Sequence, residues 1–253
     1  MSVQLKTPVR TAPPAARRLV VPLGGDVDDG QFSLLFDGAS GAIQMGTAPA
    51  IMPAGSLSLA CWVKFLGIGT NQHIMGRGQG LGGPSPFTLT LFGTSGNLVY
   101  FDLTNDAGTR ATANSTTVFT TGRWYHLAAT WDGTAGVGGV KLYVNGALDA
   151  QATSPFAAPT ASTMNFTLGN YYNSGWGTWW LNGELGEPRV YGRQLSAAEI
   201  TALYQSGVAP AGPLAEWLFA EGGGAQVADT SANGTPGTLV GGAAARFVSD
   251  VHP

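Results

Sequence analysis

Residues 122–151, GRWYHLAATWDGTAGVGGVKLYVNGALDAQ, leave this chain few folds to choose from. In WYHLAATW, Tyr125, Leu127, Ala129 and Trp131 alternate with Trp124, His126, Ala128 and Thr130. A period of two sends each set to its own side of a sheet. Asp132-Gly133 supplies turn chemistry and ends the strand. Val140, Leu142 and Val144 then alternate with Lys141 and Tyr143, and Asn145-Gly146 follows at once. Asn-Gly between two extended runs predicts a hairpin, because a type I′ turn needs positive φ at both central residues. Three antiparallel strands in succession are therefore expected here.

The rest of the chain suits that beginning. Only 11% of its 253 residues are charged, against about a quarter in soluble domains generally. Thirty-eight glycines and 15 prolines fit many short strands joined by tight turns. Hydrophobic content of 44% with a net charge of −3 excludes a disordered chain. Candidate strands span 32–36, 42–45, 57–66, 73–76, 87–92, 97–104, 110–113, 124–131, 140–145, 147–153, 164–168, 184–191, 214–220 and 238–240. That spacing predicts an all-β sandwich. One short helix is expected after Ser196, with Glu199 completing a capping box, Leu195 and Ile200 forming a hydrophobic staple, and Gly207 closing the end. It is expected to cover one end of the sandwich. Cys61 is alone, so an internal disulfide is excluded. Its neighbours Leu57, Leu59, Val63 and Phe65 on the same face predict a buried thiol.

The first 30 residues differ from the remainder. Lys6, Arg10, Arg17 and Arg18 give the first 18 residues four basic groups and no acid, while the remainder has 8 basic and 15 acidic groups. Residues 1–30 are expected to form an extended arm outside the sandwich at 31–253. LVVPL (19–23) could add an edge strand, where Pro22 is tolerated. Four charges are too few for nucleic-acid binding. No secretory signal is expected in this arm, and no run is apolar enough to span a membrane.

GRWYHLAATWDG followed by VKLYVNG resembles the signature of the laminin-G-like jelly rolls, the concanavalin A-like lectin/glucanase fold, and more narrowly the laminin G 3 type. FDGASGAIQMG (36–46), SLSLACWVKF (56–65), LNGELGEPRVYGRQLSAAEITALYQSG (181–207) and LAEWLFAEGGGAQVADTSANGTPGTLVGG (214–242) resemble the same family. The resemblance implies a two-sheet antiparallel jelly-roll sandwich. The block at 214–242 resembles what is usually the family's first strands, yet here it comes last. Circular permutation, exchange with a neighbouring copy, and a truncated second domain are the three readings, in that order.

Chemistry is sparse. Glycosidases of this superfamily need two carboxylates on one side of a cleft. Glu184 and Glu187, three apart in GELGEP, are expected on opposite faces of a strand. His126 is expected to be structural. No Ser/His/Asp set, HExxH, Cys/His cluster or phosphate loop appears, so an enzyme is not expected. The resemblance implies a structural calcium as one role for Asp229, Asn233 and Glu187; an Asx turn at Asp229 is the other. GNYYNSGWGTWWLNG (169–183) brings Tyr171, Tyr172, Trp176, Trp179 and Trp180 together. Leaving three tryptophans in water forfeits on the order of 15 kcal/mol at most. Trp179 and Trp180 are therefore expected to fold back onto the sandwich. Trp176, Tyr171, Tyr172 and Trp179 are the candidates for contact with a glycan or a partner. The function expected is non-catalytic binding or adhesion. The leading setting is the surface of a phage-like particle, as capsid decoration or tail component. The arm would contact particle proteins or further copies in a homo-oligomer, and the sandwich cell-surface glycans. A free carbohydrate-binding module is the alternative, and a polysaccharide lyase or hydrolase the second.

Overall fold

The computed structural model describes residues 32–46, 51–52, 55–78, 85–160, 164–171, 179–241, 245–250 and 252–253. The expected arm at 1–30, with its LVVPL segment, lies outside them. Two antiparallel sheets stack face to face.

The first sheet holds β1 (Ser33–Asp37), β3 (Leu57–Phe65), β8 (Trp124–Trp131), β9 (Gly136–Val144), β10 (Ala147–Ser154), β12 (Asn182–Tyr191), β13 (Ala215–Glu216) and β16 (Ala245–Val248). Their order is β10-β9-β8-β3-β12-β1-β16, with β13 also on β12. The second sheet holds β2 (Ala42–Gln44), β4 (Asn71–Arg77), β5 (Phe87–Phe92), β6 (Leu98–Thr104), β7 (Arg110–Asn114), β11 (Phe166–Leu168), β14 (Gln226–Val227) and β15 (Gly237–Val240). Its order is β14-β15-β2-β11-β4-β5-β6-β7.

The alternation seen in the sequence decides what lies between the sheets. Leu59, Cys61, Val63, Leu127, Ala129 and Trp131 from the first sheet share one core with Leu89, Leu91, Phe101, Leu103, Phe166 and Leu168 from the second. Burial pushes the Cys61 thiol well up in pKa, as expected of an inert core cysteine. The Asn145-Gly146 turn has φ of 50° and 78°, the geometry a type I′ hairpin demands.

The helix, α1 (Ala197–Ser206), has both capping-box bonds at Ser196 and Glu199, and Gly207 in the left-handed region. Leu195, Ile200 and Leu203 pack on Ala60, Ala128, Tyr143 and Tyr191. These belong to the outer face of the first sheet, so the helix covers a face and not an end. The two alanines leave room for it. Ser196→Ala is expected to cost about 1 kcal/mol, read as a lower urea midpoint with an unchanged slope. Among the described residues no helix is long and apolar enough to cross a membrane.

The block at 214–242 completes the same chain's sheets. β13 pairs with β12, β15 with β2, and Trp217 is fully buried in the shared core. The strand expected at 214–220 is shorter, and β14 and β16 were not expected.

Candidate functional site

The outer face of the second sheet is built from the residues that the core does not take. One row crosses all eight strands: Gln226, Thr238, Gln44, Thr167, Gly76, Thr88, Asp102 and Thr112 are successive register partners. Every member but Gly76 is polar; Gln226 and Thr238 are exposed and Gln44 and Thr112 half-buried, whereas Thr167, Thr88 and Asp102 are buried. Gly76 has φ of +147°, and a Cβ there would come within 2.7 Å of the Thr88 Cα. Only glycine lets the sheet pass this point. The neighbouring row is His73, Thr90, Tyr100 and Asn114.

A chain of rings stands on these rows. His73 meets Tyr171 at 4.1 Å, Tyr171 meets Trp179 at 5.3 Å, Trp179 meets Phe92 at 5.4 Å, and Phe92 stacks on Tyr100 at 4.3 Å. The backbone fixes one end, since the His73 amide donates to the Trp179 carbonyl at 2.9 Å. Trp179 and Tyr100 are partly exposed, whereas Tyr171 and Phe92 are buried. The Tyr171 hydroxyl and Thr90 Oγ1 share a hydrogen bond of 2.9 Å. Tyr171 is thus an interior support of the wall and not an open stacking surface, because its ring is spent on His73 and Trp179. Trp179 folds back as expected. Tyr172 and Trp176 lie outside the described residues.

The face is nearly neutral. Burial pushes His73 down to about 3, against a weaker upward pull from its hydrogen bond to Thr167, so its imidazole is uncharged at ordinary pH. Burial pushes Tyr171 up to about 12. Among the described residues His73 Nδ1 and Asn170 Oδ1 are buried without a hydrogen-bond partner, which marks places where water or a ligand group would be welcome. Among the described residues Asp102 is the only carboxylate on these strands. It accepts from Arg110 Nη2 at 2.8 Å and from Thr112 Oγ1 at 2.6 Å. His73, Tyr100 and Asp102 were not singled out from the sequence, although the alternation in FTLTLF and LVYFDLT places their row outside the core.

Glu184 and Glu187 lie elsewhere, on the outer face of the first sheet, and the expectation of opposite faces is corrected. The register slips between Gly186 and Arg189, and Glu187 takes φ of +47°. That bulge adds a residue and turns both carboxylates to one side. Each is held by a cation: Glu184 by Lys64 at 2.7 Å, Glu187 by Arg189 at 2.9 Å. His126, also on this face, is buried and pushed down to about 3 by burial first and Arg189 second.

The three candidate calcium ligands do not fit a cation. Asp229 Oδ1 accepts from the Glu216 amide at 3.0 Å and the Ser231 amide at 2.8 Å. Its Oδ2 accepts from Ser231 Oγ at 2.9 Å and the Thr235 amide at 2.7 Å. Asn233 donates through Nδ2 to the Leu214 carbonyl at 2.8 Å. Both Asp229 oxygens are thus saturated by donors, as in an Asx turn, and Glu187 answers to Arg189. Among the described residues no group of three metal-binding side chains forms.

Residues 37–201 match the laminin G 3 family of the concanavalin A-like lectin/glucanases superfamily. The chain belongs to that superfamily. Among solved structures it is similar to a putative carbohydrate binding protein from Bacteroides ovatus, at 17% identity and a TM-score of 0.65, over 87% of this chain and 61% of that one. It is also similar to a heptameric SAP-like pentraxin from Limulus polyphemus, at 18% identity and a TM-score of 0.55, over 73% and 87%. Domain 4 of AbnA, an arabinanase from Geobacillus stearothermophilus solved with arabinotriose, gives 23% identity and a TM-score of 0.51, over 68% and 76%. At these identities the likeness is one of fold. The chain spans about 61% of the Bacteroides protein. No curated protein matches it in sequence. The superfamily contains lectins as well as glucanases, so membership supports a lectin-like fold and leaves the choice of activity to the site.

Proposed function

We propose that this lectin-like sandwich binds a neutral saccharide on the outer face of its second sheet, without cleaving it. The observation that carries the reading is the pair of partly exposed rings, Tyr100 and Trp179, beside the accessible polar groups of half-buried Thr112 and exposed Asn114 on the neighbouring strand; Thr88, Thr90, Asp102 and Thr167 lie buried behind them. Sugars present hydroxyls to such polar groups and flat C–H faces to such rings. The named carbohydrate-binding and arabinotriose-bound relatives support the same class. A glycosidase needs two carboxylates in one cleft, and these strands offer Asp102, already engaged by Arg110 and Thr112.

Isothermal titration of the full chain against neutral oligosaccharides, malto-, cello- and arabino-series, tests it. Tyr100→Ala and Trp179→Ala are each expected to weaken the best ligand about tenfold, near 1.4 kcal/mol. Binding that ignores both changes, or release of reducing ends by the pure protein, overturns the reading.

We place this binding on the surface of a phage-like particle, tied there by residues 1–30. The unequal charge of arm and body supports that setting. A chain lacking residues 1–30 that still enters particles overturns the tie by those residues, and a full chain that enters no particle overturns the setting.

A further inference from the structure

The outer face of the first sheet carries an aromatic and charged area beyond the edge of α1. Trp62 and Lys64 come from β3, Trp124 and His126 from β8, and Glu184, Glu187 and Arg189 from β12. Two residues that follow β16 lie on it. The Asp250 carboxylate binds Lys64 Nζ and accepts from Trp124 Nε1 at 3.3 Å, and its carbonyl accepts from Ser33 Oγ. The His252 ring lies parallel to Trp62, centroids 4.6 Å apart and planes 4° apart, with Nε2 3.4 Å from Glu187 Oε1. Gly186 makes room, since a Cβ there would stand 2.8 Å from His252 Cδ2.

These contacts are surplus to the sheet's own charge balance. Lys64 keeps Glu184 at 2.7 Å if Asp250 leaves, and Glu187 keeps Arg189 at 2.9 Å if His252 leaves. No buried charge is stranded by departure, the usual reason such a contact cannot open. Asp250 is also half exposed, so salt screens its hold on Lys64. What the pair occupies is a defined chemical position: a flat ring on an indole, and beside it a carboxylate met by an ammonium and an indole N–H. The hydrogen bond from Lys64 draws the Asp250 carboxyl below its ordinary pKa, so the position favours a carboxylate.

We propose that Trp62, Trp124 and Lys64 form a second ligand platform, for a saccharide bearing carboxylates, and that Asp250 and His252 cover it in cis. A uronic acid residue supplies the carboxylate for Lys64 and Trp124, and a neighbouring sugar ring replaces the imidazole on Trp62. Both anchors border the Trp124 ring, Lys64 Nζ at 5.3 Å and His252 at 6.0 Å, so adjacent residues of one oligosaccharide can reach them. The proposal rests on the carbohydrate-binding reading but uses the opposite side of the sandwich.

The test is titration of the full chain with oligogalacturonate at low salt, alongside hydrogen exchange. The Asp250→Asn/His252→Ala double variant is expected to bind oligogalacturonate at least fivefold tighter than the parent. Adding Trp124→Ala is expected to abolish the gain. Exchange at 245–250 is expected to rise in the double variant while β3 and β8 stay protected. A double variant that binds no tighter overturns the proposal, as does a cover whose protection is lost only when β3 and β8 unfold. Neutral sugars that still respond to Tyr100→Ala in that case leave the first reading standing. If neither class of sugar binds, both readings fall.

Discussion

Trp217→Ala is expected to lower folding stability by about 3–5 kcal/mol, enough to remove a large share of what a domain this size has. The ring is fully buried and lies 5.6 Å from Phe166 at 23°. Its Nε1 donates to the Thr235 carbonyl at 3.0 Å, so truncation leaves that buried acceptor unpaired as well as opening a cavity. Denaturation in urea checks this, and a conservative Trp217→Phe change is expected to recover the packing but not the hydrogen bond. A loss below about 1 kcal/mol would mean that the block at 214–242 folds apart from the sandwich. The reason to expect otherwise is position. Trp217 bridges from β13 in one sheet to Phe166 of β11 in the other, so this late segment is part of the same cooperative core.

That segment also shows where the sequence stops being legible. The long strands could be read because their alternation repeats: β5 and β8 begin and end where the pattern does. The helix could be read because its capping box and staple are local. The order of strands in each sheet could not be read from alternation, since the chain passes between sheets several times and pairing across such distances leaves no local mark. Glu187 was misplaced for a related reason. Counting by twos assumes an unbroken ladder, and the bulge after Gly186 breaks it. The site was half visible. Trp179, from the aromatic stretch, stands on the proposed binding face, but the wall there needs Phe92 and Tyr100 from strands far off in the chain. Tyr171 was expected on the surface because a loop Tyr between glycines and asparagines gives no sign that His73 waits beneath it. The unpaired Nδ1 of His73 has no sequence signal at all.

The bulge carries the second large effect. Arg189→Ala is expected to cost about 3–5 kcal/mol at neutral pH, because it removes the cation between two partly buried carboxylates. Arg189 Nη1 lies 2.9 Å from Glu187 Oε2, and its Nε donates to Glu216 Oε1 at 2.7 Å. Burial alone would raise Glu187; the hydrogen bond from His252 and the charge of Arg189 outweigh it and hold the carboxyl at about 2. A folded pKa below the unfolded value of about 4.5 stabilises the native state above that pH, by on the order of 3 kcal/mol. This stabilisation is lost as pH falls from about 4.5 through about 2. In the Arg189→Ala protein burial meets less opposition, so protonation of Glu187 no longer destabilises the fold to the same extent. The stability gap between the two proteins is therefore expected to narrow steadily as pH is lowered from 6 to 3, measured by urea denaturation at each pH. A gap that stays constant would assign the role of Arg189 to its packing and not its charge. A narrowing gap would show that the strained φ of Glu187 is held by an ion pair. It would then follow that the pair holds Glu187 on the face bearing Trp62, Trp124 and Lys64, since the bulge is what brings that residue to the side already occupied by Glu184.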